Sequence, residues 1–200
     1  MSEESLRMKK KLATRQALSE AAFQLARERG LNNIVVEDIV NRAGYSRRTF
    51  ANHYSCKEEA IANALPPIHV PGSEDDDLEG LTPLSAIELK IKHTFSIHIM
   101  KRLHELISLS RSYPTLKLYV TAVLKEIQDD TRKRISEAFG TAYSEEYYHI
   151  LIGSVFGALI PVLEETIKVK LPLNESDDES NQPFDEYIHK VFSSLREGFK

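Results

Sequence analysis

Apolar residues recur along this chain at the three- and four-residue spacing of an α-helix, and this periodicity restricts the fold more than any other feature. We find no convincing stretch of the alternation between apolar and polar residues that marks a half-buried β-strand. The 200 residues include 8 glycines and 8 prolines, too few for a low-complexity chain. The sequence therefore predicts an all-α protein.

The predicted helices fall into two groups. Four short helices are predicted at residues 6–29, 36–42, 47–53 and 56–65. After an acidic, turn-rich segment, four longer helices are predicted at residues 83–110, 114–140, 145–169 and 185–199. Proline, glycine and serine stand where these helices begin or end, as helix caps require. We therefore predict a small domain at residues 1–65 and a larger helical bundle at residues 66–200.

Composition favours a soluble protein of the cytoplasm. The one cysteine, Cys56, cannot form an internal disulfide or a cysteine-based zinc site, which suits a reducing compartment. The first residues carry charges without a following apolar run, so we expect no signal peptide. The longest uncharged window, residues 147–163, is interrupted by Pro161 and is shorter than the ~20 apolar residues of a membrane span. It predicts a buried core helix and no membrane partner.

Charge is distributed unevenly although the net charge is −4. Residues 1–65 carry 11 Lys and Arg against 8 Asp and Glu, whereas residues 66–200 carry 15 against 22. A basic N-terminal part joined to an acidic remainder suggests a domain that meets phosphate and a body that does not. Ordinary solvated charge is the alternative reading of this pattern.

A helix-turn-helix is indicated where the second and third short helices meet at Gly44. The second helix of such a unit enters the major groove of DNA. A helical wheel turns Phe50, Tyr54 and Ser46 towards the core and Arg48 and Asn52 outward. Arginine pairs with guanine, asparagine with adenine, and small or methyl-bearing side chains such as Ala51 and Thr49 contact the thymine methyl. A solvated helix face is the alternative, but such faces more often carry Glu and Lys.

The residues of this region resemble the DNA-binding domain of the TetR family of bacterial transcriptional regulators. The resemblance covers about residues 9–65, a third of the chain, from TRQALSEAAFQLARERG through VEDIVNRAGYSRRTFANHYSCKEEAI. The shared positions are Thr14-Arg15, Asp38-Ile39, Ala43-Gly44, Ser46, Thr49-Phe50, His53-Tyr54 and Lys57-Glu58. We therefore expect a sequence-specific DNA-binding regulator whose partner is double-stranded operator DNA.

The resemblance implies roles for individual residues of this domain. It implies groove-facing side chains at Arg47, Arg48, Thr49 and Asn52, and phosphate contacts by Thr49, His53 and Lys57. We add Ser46, Thr14 and Arg15 to the predicted DNA-binding residues. Lys57 also stands in the first turn of a predicted Ser55-x-x-Glu58 capping box, where exposed N–H groups favour a phosphate. Arg47, at the helix start, is predicted to contact the DNA backbone, and Lys9–Lys11 to form either an arm over the DNA or a disordered tail.

Two residues depart from the family pattern. Members of the family usually carry an aromatic residue, often Tyr, at the position of Ala51, so one phosphate-binding hydroxyl is missing here. They usually carry Thr at the position of Val35. Valine in its place removes a helix cap and a donor to phosphate. We therefore expect the second helix to rely on backbone amides instead.

For residues 66–200 the resemblance implies a homodimer joined by the last two long helices, and a pocket for a small-molecule effector. Gly153 and Gly157, with Ser154 and Ala158, give one helix a small-residue face, which suits either a second copy or an internal neighbour. The effector is unidentified. Its candidate contacts are Phe95, His98, Tyr119 and Phe156, although aromatic residues at helical spacing are more often part of a plain core. The predicted function is a ligand-responsive homodimeric repressor.

A di-iron oxidase of the ferritin-like class is the alternative for the helical body. Such bundles use two Glu-x-x-His motifs and two further glutamates as ligands. The candidate ligands are Glu146, His149, Glu186, His189, Glu105 and Glu126. Both motifs stand at predicted helix starts, where Glu is explained by the helix dipole. We find no nucleophile elbow, glycine-rich phosphate loop or Cys-His pairing, so we expect no enzymatic activity, no cofactor and no metal.

Overall fold

The computed structural model describes residues 3–65, 78–94, 97–173 and 182–198, and within these residues it contains helices and no strands. The α-helices are α1 Glu3–Arg29, α2 Val36–Ala43, α3 Arg47–Ala51, α4 Lys57–Ala62, α5 Pro83–Thr94, α6 Ile97–Arg111, α7 Pro114–Phe139, α8 Glu145–Leu163 and α9 Gln182–Glu197. Short 3-10 turns follow α1 and α7, at Leu31–Asn33 and Gly140–Ala142. The prediction of an all-α protein is confirmed.

The contacts divide the chain into two compact units. The first contains Met1–Leu65 together with Leu106–Val123, and the second contains Pro66–Glu105 together with Leu124–Lys200. Helices α6 and α7 therefore each contribute residues to both units. The predicted domain boundary at residue 65 remains a prediction, and the contact pattern groups one later segment with the N-terminal helices.

The core of the first unit forms where α1 packs on α2 and α4. The predicted apolar face of α1 is confirmed, since Leu18, Ala21, Ala22 and Leu25 are all buried. Removing such side chains from water is the main favourable contribution to folding, at about 25 cal/mol per Å² of apolar surface. Gly30 ends α1 with the predicted positive φ of 77°, but its ψ of 150° is extended rather than left-handed helical.

Helix α8 supplies many of the buried apolar side chains of the second unit. Its buried side chains are Tyr148, Leu151, Ile152, Val155, Leu159, Val162 and Leu163. Among the described helices, α8 is long and apolar enough to cross a membrane by length and composition alone, a test that core helices of soluble proteins also pass. The prediction of a buried core helix is confirmed for the face of α8 that carries these side chains.

Helix α8 ends six residues earlier than the sequence predicts. Glu165 adopts a left-handed conformation with φ of 56°, and the N–H of Thr166 donates to the carbonyl of Pro161 over 2.8 Å. This turn occupies the Pro161 carbonyl, which would accept from the N–H of Glu165 if the α-helix continued. The predicted helix from 145 to 169 is therefore wrong at its C-terminal end, where a non-glycine residue takes the conformation that glycine usually supplies.

Polar contacts connect the helices of the second unit to one another. The guanidinium of Arg196 in α9 pairs with the carboxylate of Glu88 in α5, which is buried. The hydroxyl of Tyr187 donates to the carbonyl of Ala158 over 2.8 Å, so α9 also contacts α8. The predicted cap Thr82 is confirmed at the start of α5, where its hydroxyl accepts from the N–H of Ser85 over 3.2 Å.

Candidate DNA-binding site

Gly44 makes the sharp turn between α2 and α3. Its φ of 74° and ψ of 30° lie in the left-handed region, and its N–H donates to the carbonyl of Val40. Side chains with a Cβ are disfavoured in this conformation, so glycine fits the position best. Because the turn is closed by main-chain hydrogen bonds, the direction in which α3 leaves α2 is set locally. The predicted helix-turn-helix is confirmed.

Ser46 begins α3 as the sequence predicts. Its hydroxyl accepts from the N–H of Thr49 over 3.0 Å and lies 2.9 Å from the Thr49 hydroxyl. The prediction that Ser46 faces the core is wrong, because this side chain is exposed. A cap residue has extended backbone angles, so the helical wheel does not apply to it.

Replacing Ser46 by alanine is expected to destabilise the first unit by about 1 kcal/mol, since the N–H of Thr49 loses its acceptor. Urea denaturation followed by circular dichroism measures this loss. Ser46→Asp keeps an acceptor at the same position and should retain the wild-type midpoint. Equal midpoints for Ser46→Ala and the wild type would contradict the capping role.

The two faces of α3 separate apolar from polar residues. Phe50 and Tyr54 are each 3% exposed, and their ring centroids lie 5.8 Å apart. Arg48 and Asn52 are exposed on the other side, as predicted, and Thr49 is half-buried. The helix is shorter than the predicted 47–53, because it ends at Ala51 and Asn52 is its C-cap. The polar face therefore presents an arginine and an asparagine on a helix anchored by two aromatic rings.

The predicted DNA-binding cations differ in whether their charge is already engaged. The side chain of Arg48 has no hydrogen bond or ion pair with any residue that the structure describes. Arg47 is paired, since its Nη1 lies 2.8 Å from Oε1 of Glu37 in α2. Arg48 is thus the arginine of α3 that can approach a base without first leaving a protein partner.

Lys57 is engaged in a way that the sequence did not indicate. Its Nζ donates to the carbonyl of Leu31 over 2.8 Å and to the carbonyl of Ile34 over 2.9 Å. These two bonds hold the segment between α1 and α2 against α4. An ammonium group has three N–H donors, so one remains for a phosphate.

The predicted Ser55–Glu58 capping box is wrong by one residue. The N-cap of α4 is Cys56, whose Sγ accepts from the N–H of Glu59 over 3.4 Å. The carboxylate of Glu59 in turn accepts from the N–H and the hydroxyl of Ser55, over 2.6 Å and 2.7 Å. Helix α4 also ends at Ala62, before the prolines that the prediction used as its stop. A thiol is a weak acceptor, so sequence rules favoured serine as the cap.

Arg15 and Thr14 make contacts within the protein. The Arg15 guanidinium donates to the side-chain carbonyl of Asn63 over 2.8 Å and lies 5.3 Å from the ring centroid of Tyr54. The Tyr54 hydroxyl donates back to the main-chain carbonyl of Arg15 over 3.0 Å. The hydroxyl of Thr14 donates to the carbonyl of Lys10 over 2.9 Å. Arg15 thus ties α1 to α4 and to the aromatic anchor of α3, and its contact with DNA remains a prediction.

His53 follows α3 and is half-buried. Partial burial lowers the pKa of this imidazole, and the positive charges of Lys11 and Arg15 lower it further. The ring is therefore held in its neutral form more strongly than an exposed histidine. A negative group placed beside it would reverse this effect.

The comparison with known families agrees with this geometry. Residues 18–63 match the model of the family described as bacterial regulatory proteins, tetR family. The chain carries a TetR-family DNA-binding domain. The matched residues run from the buried start of the α1 core face through α4, and so include both helices of the helix-turn-helix. No curated protein matches the chain. Over residues 18–63 the chain is thus similar to bacterial transcriptional regulators of the tetR family.

Val35 is one of two departures of this TetR-family domain from the usual pattern. No side chain caps α2 from this position, and the carboxylate of Asp38 accepts from the Val35 N–H over 2.9 Å. Asp38 also lies 3.6 Å from the guanidinium of Arg29 in α1. The predicted loss of a cap is confirmed, and the compensating residue that the sequence missed is Asp38. Ala51, the other departure, is exposed and offers no hydroxyl.

The candidate effector contacts lie in different parts of the chain. Tyr119 belongs to the first unit, where its phenol has a raised pKa, chiefly because of the neighbouring Cys56 thiol. His98 is exposed and Phe156 is half-buried, and both belong to the second unit. Phe95 lies outside the described residues. The effector contacts remain a prediction.

The di-iron alternative finds no support. Among the residues that the structure describes, no group of three or more His, Cys, Asp or Glu is arranged to hold a metal ion. Glu146 acts at the start of α8, where its own N–H and the Ser144 hydroxyl bond to its carboxylate and lower its pKa. Glu186 and His189 line an open depression at the start of α9. Glu146 of the first Glu-x-x-His motif is thus explained as an acid in the first turn of α8.

Proposed function

We propose that this protein is a DNA-binding transcriptional regulator of the TetR family, and that it is a repressor that binds operator DNA as a homodimer and is released by a small molecule. The observation that carries the proposal is the polar face of α3, where Arg48 is exposed and has no partner among the described residues. Asn52 is exposed at the end of the same helix. An arginine and an asparagine so presented match the hydrogen-bonding groups of guanine and adenine in the major groove.

The remaining residues are assigned to the DNA backbone. Arg47 and Thr49 stand in the first turn of α3, and His53 follows its end, so each borders the groove-facing pair. Lys57 contacts a phosphate through the one ammonium N–H that it does not donate to the carbonyls of Leu31 and Ile34. Contacts of this kind position the protein on the duplex without reading its sequence.

Protonation of His53 provides a test of its phosphate contact. Its pKa is lowered on folding, so its contribution to stability is present above the ordinary histidine pKa of about 6.5 and is lost as the pH falls through the lower folded value. A bound phosphate raises the pKa again, so DNA binding takes up a proton and affinity rises as the pH falls.

We expect affinity for duplex DNA to increase roughly threefold to tenfold between pH 7.5 and 5.5, which corresponds to a pKa rise of up to about one unit. Fluorescence anisotropy titration measures it. His53→Gln should remove this dependence. An identical pH dependence in both proteins would contradict a phosphate contact at His53.

The dimer is assigned to the small-residue face of α8. A Cβ added to Gly153 or Gly157 would meet no atom of the described residues within 4 Å, so no described part of the chain covers this face. Ile150 lies one turn before Gly153 and is 69% exposed. An open glycine face next to an exposed isoleucine supports close approach of a second copy.

Replacing Gly157 by arginine tests the dimer. A Cβ at position 157 would meet no described atom within 4 Å, and a residue other than glycine favours the helix, so we expect the variant to fold. In analytical ultracentrifugation, the mass of the wild type is expected to be twice the chain mass of 22.8 kDa, and the mass of the variant is expected to fall towards 22.8 kDa. Lys133→Ala, a change on α7, is the control and should leave the mass unchanged. A wild type that sediments as a monomer would contradict the proposed dimer.

The effector is proposed to act by shifting a population. A ligand changes an equilibrium only by binding one state more tightly than another, so it must favour the form that releases DNA. Helix α7 has residues in both units, which supports it as the element through which a ligand in the body acts on the DNA-binding domain. His98 and Phe156 remain the candidate contacts in the second unit, and Tyr119 is the candidate in the first unit. Phe95 remains a candidate from the sequence alone.

A further inference from the structure

The first residue of α3 is an arginine whose charge is partnered by an acid of the preceding helix. Nη1 of Arg47 lies 2.8 Å from Oε1 of Glu37, with side chains 76% and 52% exposed. Glu37 stands in the first turn of α2, so the pair joins the N-terminal ends of the two helices of the helix-turn-helix. This places a carboxylate beside a cation that the proposed function assigns to the DNA backbone.

The other acids of this region are engaged in packing α1 against α2. Glu28 receives two hydrogen bonds from the guanidinium of Arg42, over 2.8 Å and 2.6 Å. Asp38 accepts from the Val35 N–H and faces Arg29. Glu37 differs because its partner is on α3. An exposed ion pair of this kind adds little to stability, so the fold does not depend on it.

We propose that Glu37 is a residue that limits DNA affinity, because it competes with phosphate for Arg47. The inference rests on the proposed phosphate contact of Arg47. In the free protein the pair carries no net charge. When the domain meets DNA, Arg47 must leave the carboxylate, or the carboxylate must remain close to the phosphates. Either event opposes binding, and neither depends on the base sequence.

Replacing Glu37 by glutamine keeps the shape of the side chain and removes its charge. We expect Glu37→Gln to bind duplex DNA about threefold to tenfold more tightly at low salt. Neutralising one more phosphate also releases counterions, so the slope of log affinity against log salt should become steeper by about 0.9. Screening by added salt should reduce the gain.

The test uses the full chain and a fluorescein-labelled duplex of 30 random base pairs, about three helical turns, in anisotropy titrations at several salt concentrations. The variants are Glu37→Gln, Arg47→Gln and the double substitution. Glu137→Gln, in the second unit, is the control for an equal change in net charge. If Glu37 acts through Arg47, its removal should tighten binding in the wild-type background and change it less than twofold in the Arg47→Gln background.

Three results would overturn the inference alone: unchanged affinity for Glu37→Gln, weaker binding, or an equal gain in both backgrounds. Weaker binding would mean that Glu37 positions Arg47 for DNA, and an equal gain would mean that the carboxylate acts on DNA without Arg47. A wild type that does not bind the duplex at low salt would overturn the proposed function and the inference with it.

Discussion

Replacing Arg48 by alanine is expected to lower affinity for the cognate operator by about 1–3 kcal/mol, or roughly 5-fold to 150-fold, and to relax base preference at one position. Arg48 lies on the outward face of α3, whose other face is anchored by Phe50 and Tyr54. Its guanidinium has no partner among the described residues, so the wild type loses no internal bond when Arg48 contacts a base.

Titration of the operator and of single-base variants measures this effect. Arg47→Ala is the matched control, because it removes the neighbouring arginine of the same helix. Arg47→Ala should change the affinity for all sequences by a similar factor and leave the base preference intact. If Arg48→Ala retained both affinity and preference, the assignment of the base-reading face of α3 would be wrong.

Replacing Lys57 by methionine is expected to destabilise the first unit by about 2–3 kcal/mol. Methionine keeps the apolar stem but removes the ammonium that donates to the carbonyls of Leu31 and Ile34. Both of those residues are buried, at 2% and 0% exposed, so their carbonyls would lose donors in a region poor in water. The loss of a charged donor to two acceptors explains why the expected effect exceeds that of a helix cap.

Urea denaturation of wild type and variant measures the change in the free energy of unfolding. Lys9→Met is the control, because Lys9 is exposed, and it should change that free energy by less than about 0.5 kcal/mol. DNA affinity should also fall for all sequences, by loss of one phosphate contact. An unfolding midpoint equal to that of the wild type, together with weaker DNA binding, would show that Lys57 acts on phosphate alone.

The helix pattern and the turn of the helix-turn-helix could be predicted because both depend on residues close in sequence. The apolar spacing of α1 identified its buried face, and Gly44 and Ser46 marked the end of α2 and the start of α3. Each of these signals acts within about one turn of helix. The exposed face of α3 followed from the same periodicity once Phe50 was taken as the inward point.

The partners of the site cations could not be predicted, because they lie far away in sequence. Lys57 bonds to carbonyls 26 and 23 residues earlier, and Arg15 bonds to a side chain 48 residues later. A sequence pattern shows that such residues are charged and exposed, which is typical of phosphate contacts. Tertiary packing decides which of those charges are already engaged, and it distinguishes Arg48 from Arg47.

Helix ends were missed where an unusual residue took a usual role. Cys56 caps α4 in place of Ser55. The Cys56 thiol accepts from the N–H of Glu59, and the Glu59 carboxylate accepts from the N–H of Ser55. Glu165 ends α8 in the left-handed conformation without a glycine. Neither residue carries a local preference for its role, so no rule based on residue type identifies it.

Selection of bound sequences from random duplex DNA is the most direct test of the claim that α3 reads a specific operator. We expect enrichment of a common sequence containing two inverted half-sites, because the proposed symmetric dimer would present two copies of α3. Arg48→Ala should reduce the information at one position of each half-site. A bound pool indistinguishable from the starting pool would contradict sequence-specific recognition by this helix.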